Sequence, residues 1–226
     1  MVAAGLLCFS ALHAQTAINP ALKKELDSIY IADQAYRELM GQMTPEKTDS
    51  LVKALGITRA QIPDHIIRNM QRSDSLNMRG IGEIIRKYGY PGKSLVGEPS
   101  NEAAFYVIQH SDKIPQYLPL VKEAAEQGEL PFRLYAMMLD RSLMYEGKEQ
   151  VYGTQGRGLQ VPDPASGQKK MMMVIWPIKD AAGVNARRKA AGFDLTVEQN
   201  AKRMGIDYTA FTLEEIYRMQ GTKAKQ

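Results

Sequence analysis

The sequence has little of what usually announces chemistry. Its 226 residues include one cysteine, one tryptophan and three histidines. The cysteine, Cys8, sits in the apolar segment at the N-terminus. Everything downstream is therefore without a disulfide, a thiolate metal ligand or a thiol nucleophile. Glycine-rich dinucleotide and phosphate loops are missing, as is a His-Glu-x-x-His zinc motif. A Gly-x-Ser-x-Gly nucleophile elbow is missing too. His65 and His110 are far apart, a weak basis for zinc, so neither a metal nor a cofactor is expected. The chain has 13 methionines; Met171 to Met173 read as core filler rather than as copper ligands. Charge of one sign is not concentrated either. Lys and Arg number 29 against 25 Asp and Glu, a net charge of +4, and the tightest basic run is Arg187-Arg188-Lys189. Without a basic stripe and interleaved aromatics, nucleic acid is not an expected partner.

Long hydrophobic runs are also scarce. The one apolar stretch, Val2 to Ala14, carries no Asp, Glu, Lys or Arg. It is shorter than the roughly 20 residues that cross a bilayer, and it fits a signal peptide over residues 1–14, cut before Gln15. No basic residue precedes it, and Leu7 is bulky where a lipoprotein signal wants a small residue before Cys8. The expected product is exported, periplasmic or extracellular, with no transmembrane segment in the mature chain. With 44% hydrophobic and 24% charged residues, residues 15–220 have the composition of one folded domain. Residues 221–226 read as a frayed tail.

The fold class expected is mainly α: a helical domain with a small β-hairpin element. Asn19-Pro20 opens a helix that Gly41 stops, and Thr44-Pro45 opens a second that ends near Gly56. A long helical stretch runs from Pro63 to Tyr88, with a bend expected near Gly80 and Gly82. Ser100 reads as the N-cap of a helix from Asn101 to His110. Ala103 to Ile108 is continuously apolar and should be buried. Pro115 and Pro131 open two more helices. The segments Gln150 to Gln155 and Met171 to Trp176 read as paired strands. Helical signals return at 181–191, 196–204 and 212–219, the last with a Thr212/Glu215 capping box.

One ordered set of motifs runs through this pattern. It comprises Asp33-Gln34 with Arg37, Tyr88-Gly89-Tyr90-Pro91 with Val96-Gly97, and Gln109-His110-Ser111-Asp112. Ala103-Ala104-Phe105 ahead of that last segment, Asp140-Arg141, Gly147 with Gln150, Tyr152-Gly153-Thr154-Gln155, Pro177-Ile178, and Asn185 with Arg187-Arg188 complete it. The set resembles an uncharacterised bacterial family known as a domain of unknown function, over roughly residues 25 to 195. Tyr90 departs from it, Trp being expected there. The resemblance implies no activity.

Chemistry must come from the residues themselves. His110 is the natural acid/base near neutral pH; Gln109 and Asp112 could orient it or a substrate, or His110 could simply cap its helix. Asp140 lies mid-helix beside apolar neighbours, where a carboxylate needs a partner. It reads either as the acid that orients His110 or as the partner of an arginine such as Arg37. Asp33 and Arg37, four apart, form either a surface pair or, with Gln34, the wall of a polar cleft. Arg141, Tyr152 and Gln155 are further candidates to hold a substrate. Arg187 with Arg188 could clamp a carboxylate or phosphate. The string Gly156-Arg157-Gly158-Leu159-Gln160 is similar to a helical lysozyme-like motif, which would need Glu146 or Glu149 as its acid.

Two functions compete. One is a cell-envelope hydrolase or lyase with His110 and Asp140 as its catalytic groups. The other is a non-catalytic module that binds a small molecule or envelope component. Asp33, Arg37, His110, Asp140, Arg141 and Gln155 are expected to converge on one cleft, which would favour the first.

Overall fold

Proline and capping residues set where the helices begin. In a computed structural model, which describes residues 17–163 and 167–221, Asn19 accepts the Leu22 N–H at 3.1 Å and opens α1, Pro20–Gly41. Thr44 caps α2, Pro45–Leu55, and Gly56 ends it in the left-handed conformation that glycine adopts without cost. The expected leader, with Cys8 and His13, and residues 222–226 of the expected tail lie outside the described residues.

A short 3₁₀ turn leads into α3, Ile62–Tyr88, 27 residues long and uninterrupted. Gly80 does not break it; a Cβ there would come within 3.4 Å of Ile29, so this glycine lets α1 approach closely. Next come α4 (Lys93–Val96), a 3₁₀ turn at Ser100–Glu102 and α5 (Ala103–Gln109). Ser100 does not cap α5 by its side chain. Its hydroxyl instead donates to Asp27 and accepts from Lys23 at 2.7 Å, which ties the turn to α1. Then come α6 (Ile114–Glu126) and α7 (Phe132–Tyr145).

The main core lies among α1, α3, α5, α6 and α7. Leu26, Ile81, Phe105, Ile108, Leu134 and Met138 are fully buried there, each contributing about 1.5–3 kcal/mol of apolar transfer. All of Ala103 to Ile108 except Tyr106 is buried.

Among the described residues the sheet is one antiparallel hairpin of β1 (Gly156–Pro162) and β2 (Lys169–Ile175), with Gly156 opposite Ile175 and Pro162 opposite Lys169; Gln150 adds an isolated parallel bridge to Ile178. This corrects the expected strand at Gln150 to Gln155. That segment is a loop, because amides within it are held by the buried Asp140 carboxylate. Gly156 to Gln160, similar to a helical lysozyme-like motif, lies in β1, and Glu146 is an exposed residue paired with Lys148 at 2.7 Å. Leu159, Val161, Val174 and Trp176 point inward against Met144 and Ile216. Met171 and Met173 are 59% and 50% exposed, so they are not core filler. They flank Gly158 on the outer face of the hairpin.

The chain closes with α8 (Val184–Ala190), α9 (Val197–Arg203) and α10 (Leu213–Met219). Thr212 and Glu215 form the expected capping box at α10. Ile175, Ile178, Val184, Val197 and Ala201 make a small core of their own.

Candidate functional site

Asp33 lies on the face of α1 that turns toward α3 and α5, and its side chain is 0% exposed. A buried carboxylate is tolerated only where donors compensate it. Gln34 donates to Oδ2 at 2.6 Å. Arg37, one turn on, reaches Oδ1 at 3.4 Å. The end of α5 brings in His110, whose Nδ1 lies 3.0 and 3.2 Å from the two oxygens. An ionised carboxylate only accepts, so Nδ1 is the donor. The ring is 20% exposed. With Nδ1 committed to Asp33, the nitrogen it can offer outward is Nε2.

Arg37 is fixed from its far side by Asp74 of α3, through two parallel bonds of 2.9 Å. This fork geometry is the strong, directional form of the pair. Asp74 was not among the residues singled out from sequence. The available signal was a stripe on α3: Gln71, Asp74, Ser75, Met78 and Arg79 recur at helical spacing, and all of them line one cleft.

That cleft is open, with a volume of about 770 Å³, and lies between α3 and the start of α6. His110, Asp74, Arg79, Lys113, Gln116 and Tyr117 are on its walls. Among the described residues no group of three His, Cys, Asp or Glu side chains is placed to hold a metal ion.

Arg141 of α7 joins the cluster from behind. Its Nη1 donates to the Gln109 carbonyl at 3.2 Å, next to His110, and its Nε to Gln155 Oε1 at 3.1 Å. Burial pulls its guanidinium below the usual arginine range, against the favourable influence of Tyr145; the Arg37 charge adds to the depression. The Gln109 side chain is buried, and neither end of its amide has a hydrogen-bond partner among the described residues.

Asp140 is placed differently from expectation. It is fully buried, and its partners are neither His110 nor an arginine. Oδ1 accepts from the N–H of Val151 at 2.7 Å and of Tyr152 at 3.0 Å; Oδ2 accepts from the Thr154 N–H at 3.0 Å and its hydroxyl at 2.9 Å. Burial raises its pKa above the ordinary aspartate value, and these donors pull against it. The carboxylate winds the 150–155 loop around itself. This is why those residues form no strand, and why Asp33 rather than Asp140 stands behind His110.

Asp33, Gln34, Arg37 and His110 form one bonded group. Arg141 ties Gln155 to the Gln109 carbonyl, beside His110 along the chain, and Asp140 joins this second group through Thr154, whose hydroxyl also accepts from Gln155 at 3.0 Å. Of the six residues expected to share one cleft, His110 alone is on its wall. The Tyr152 side chain and Arg187 are outside both groups. The Tyr152 ring lies against Phe193. Arg187 donates to Asp180 and to the carbonyls of Val151, Lys179 and Asp180, which makes it a clamp between loops.

No helix among the described residues is long and apolar enough to cross a membrane. Neither the curated proteins nor the solved structures contain a match to this chain. Residues 20–209 match the model of a family of unknown function, DUF6624, and the chain belongs to that family.

Proposed function

We propose that this is an exported envelope enzyme, of hydrolase or lyase type, in which His110 acts as general acid or base on a small polar substrate in the cleft. The observation that carries the reading is the contact between the buried Asp33 carboxylate and His110 Nδ1. A carboxylate there fixes the ring orientation and tautomer and leaves Nε2 as an acceptor toward the cleft. When Nε2 takes a proton from water or from a substrate C–H or O–H, Asp33 compensates the charge the ring acquires. Gln34 and Arg37 hold Asp33 still while it does so. Lys113 on the cleft wall is paired with Asp112 at 3.2 Å, so Arg79 is the cation there that would meet a negative group of the substrate. Asp140 and Arg141 act as positioning residues, through the 150–155 loop and the Gln109 carbonyl. Export rests on the apolar leader.

One observation favours the second reading, a non-catalytic binding module. Arg37 and Arg141 have their donors on Asp33, Asp74, Gln109 and Gln155, so neither arginine stands free to stabilise an anion beside His110. The test is turnover of a panel of esters, phosphate esters, glycosides and uronides by the purified protein. Wild type should turn over at least one class. His110→Gln and Asp33→Asn, checked for folding by circular dichroism, should each lower kcat/KM by about 10²–10⁴-fold. A folded His110→Gln variant with the wild-type rate overturns the enzyme reading. A wild-type protein that binds panel members without turning any over makes it a binding module.

A further inference from the structure

A second pocket, sharing no lining residue with the His110 cleft, lies between α7, the turn at 192–195 and α9. Its volume is about 330 Å³, and Arg133, Arg188, Arg203, Thr154, Phe193 and Asn200 are on its walls. Asp194 is the acidic residue of the lining and is exposed, so guanidinium groups outnumber carboxylates on the wall.

Arg188 is the unusual member. It is 2% exposed. Its Nε donates to the Leu195 carbonyl at 2.7 Å and its Nη1 to the Tyr152 carbonyl at 2.8 Å. Its guanidinium lies 4.6 Å from the centre of the Phe193 ring. These contacts hold the plane of the group but do not neutralise it. Among the described residues no carboxylate lies within ion-pair distance of it, and Nη2 has no acceptor. Asp140 and Glu198 act on it only at longer range, and Arg203 opposes them. A buried charge without a counter-charge is costly, and two carbonyl dipoles compensate it only in part.

Arg203 is aimed by Asn200, whose Oδ1 accepts from Nη2 at 3.1 Å while its own amide donates to the Gly153 carbonyl at 3.1 Å. Arg133 meets Glu102 at 3.3 Å and adds a third guanidinium to the wall. A buried fork, a held fork and a third cation around one cavity is the arrangement that takes a carboxylate or phosphate in parallel N–H···O bonds. The cavity is at the lower end of the range for small-molecule pockets, about 300–1,000 Å³, which leaves room for an organic body behind the anionic group.

We propose that this pocket binds a small organic anion through a carboxylate or phosphate group held by Arg188 and Arg203. The anion-clamping role expected of the Arg187-Arg188 pair falls to Arg188, because the donors of Arg187 are taken by loop carbonyls and Asp180. The site stands whether or not His110 is catalytic.

The experiment is calorimetric titration of the full chain with succinate and with inorganic phosphate, at fixed ionic strength, with sodium chloride as the reference. At least one of the two should bind saturably and above the chloride response; which one does identifies the head group. Arg203→Gln should weaken that binding by about tenfold or more, and Arg133→Gln should weaken it less. The Arg203-dependent binding should persist in Arg79→Gln, whose change lies in the His110 cleft. Arg203 is exposed and its side chain is tied to the fold through Asn200, so its loss spares the fold. Binding no stronger than chloride, equal affinity in Arg203→Gln, or loss of binding in Arg79→Gln instead would each overturn the proposal.

Discussion

Replacing Asp140 by asparagine changes one atom in a fully buried side chain, yet every partner of that side chain is affected. The carboxylate faces only donors: the N–H groups of Val151, Tyr152 and Thr154 and the Thr154 hydroxyl. Asparagine keeps one accepting oxygen and turns an NH₂ toward the remaining donors. If the oxygen stays with Val151 and Tyr152, the Thr154 N–H loses its acceptor; the flipped amide strands Val151 instead. A buried donor without a partner costs about 1–3 kcal/mol, and desolvation of the buried carboxylate outweighs the extra strength its charge gives the bonds. Asp140→Asn should therefore lower unfolding stability by about 1–3 kcal/mol, a large part of the roughly 5–15 kcal/mol that holds a typical domain. Urea denaturation, comparing midpoints at constant m, reads it directly. The pH dependence has a defined sign. Burial raises the folded pKa of Asp140 above its ordinary value, so the folded state holds this proton over a range where the unfolded chain has released it. The contribution from Asp140 is then fully present in acid below the ordinary aspartate pKa, and is lost as pH rises through the folded pKa. Because the variant lacks this titration, the stability gap between the two proteins should narrow from about pH 4 upward and then level off. A variant within about 0.5 kcal/mol of wild type, or a gap that widens with pH, would refute this account of Asp140.

Two further substitutions probe the same half of the molecule. Gly153 has φ +66°, and an added Cβ would lie 2.7 Å from both Ile178 Cδ1 and Val197 Cγ2. Gly153→Ala should cost about 2–4 kcal/mol, from left-handed strain plus overpacking, visible as a lower thermal midpoint. Ile216 of α10 is fully buried beneath the hairpin, against the cluster that contains Trp176. Ile216→Ala should cost about 2–5 kcal/mol and, because Trp176 is the one tryptophan of the chain, loosening of the hairpin should appear as a red shift of intrinsic fluorescence.

What could be read from sequence was local. Asn19-Pro20, Thr44-Pro45 and the Thr212/Glu215 box fix helix starts within a few residues of chain, so no tertiary information is needed. The unbroken apolar run Ala103 to Ile108 announces burial in the same way. The hairpin register was not legible. Gln150 to Gln155 has strand-like residues, but Asp140, in the preceding helix, captures the amides that a strand would need. Exposure of Met171 and Met173 follows from strand alternation, which turns Met172 toward the hairpin core and its two neighbours outward. The network around His110 was legible as a set of residues but not as a set of partners. Asp33 and Arg37 are one helical turn apart and could be paired by spacing. Asp33 and His110 are separated by 77 positions, and nothing in their neighbourhoods distinguishes that pairing from one with Asp140. Asp74 was missed because a single acid in a long polar helix carries no signal until its stripe of neighbours is considered.

The 150–155 loop is where the two candidate sites meet. Gln155 reaches one of them, through Arg141 to the Gln109 carbonyl beside His110. Tyr152 and Gly153 reach the other: their carbonyls hold Arg188 and Asn200, and Asn200 aims Arg203. Thr154 stands between, with its amide on Asp140 and its side chain on the wall of the arginine pocket. The loop can hold all of these contacts because the amides of Val151, Tyr152 and Thr154 are satisfied by one buried carboxylate and that of Gln155 by the Gln150 side chain, not by a sheet that would have turned alternate carbonyls away. A strand in this position would have left Arg141, Arg188 and Asn200 without the acceptors that this loop supplies. The cost of burying Asp140 is therefore tied to the geometry of both sites, which is why a change at this residue, itself on the wall of neither cleft, should disturb each of them.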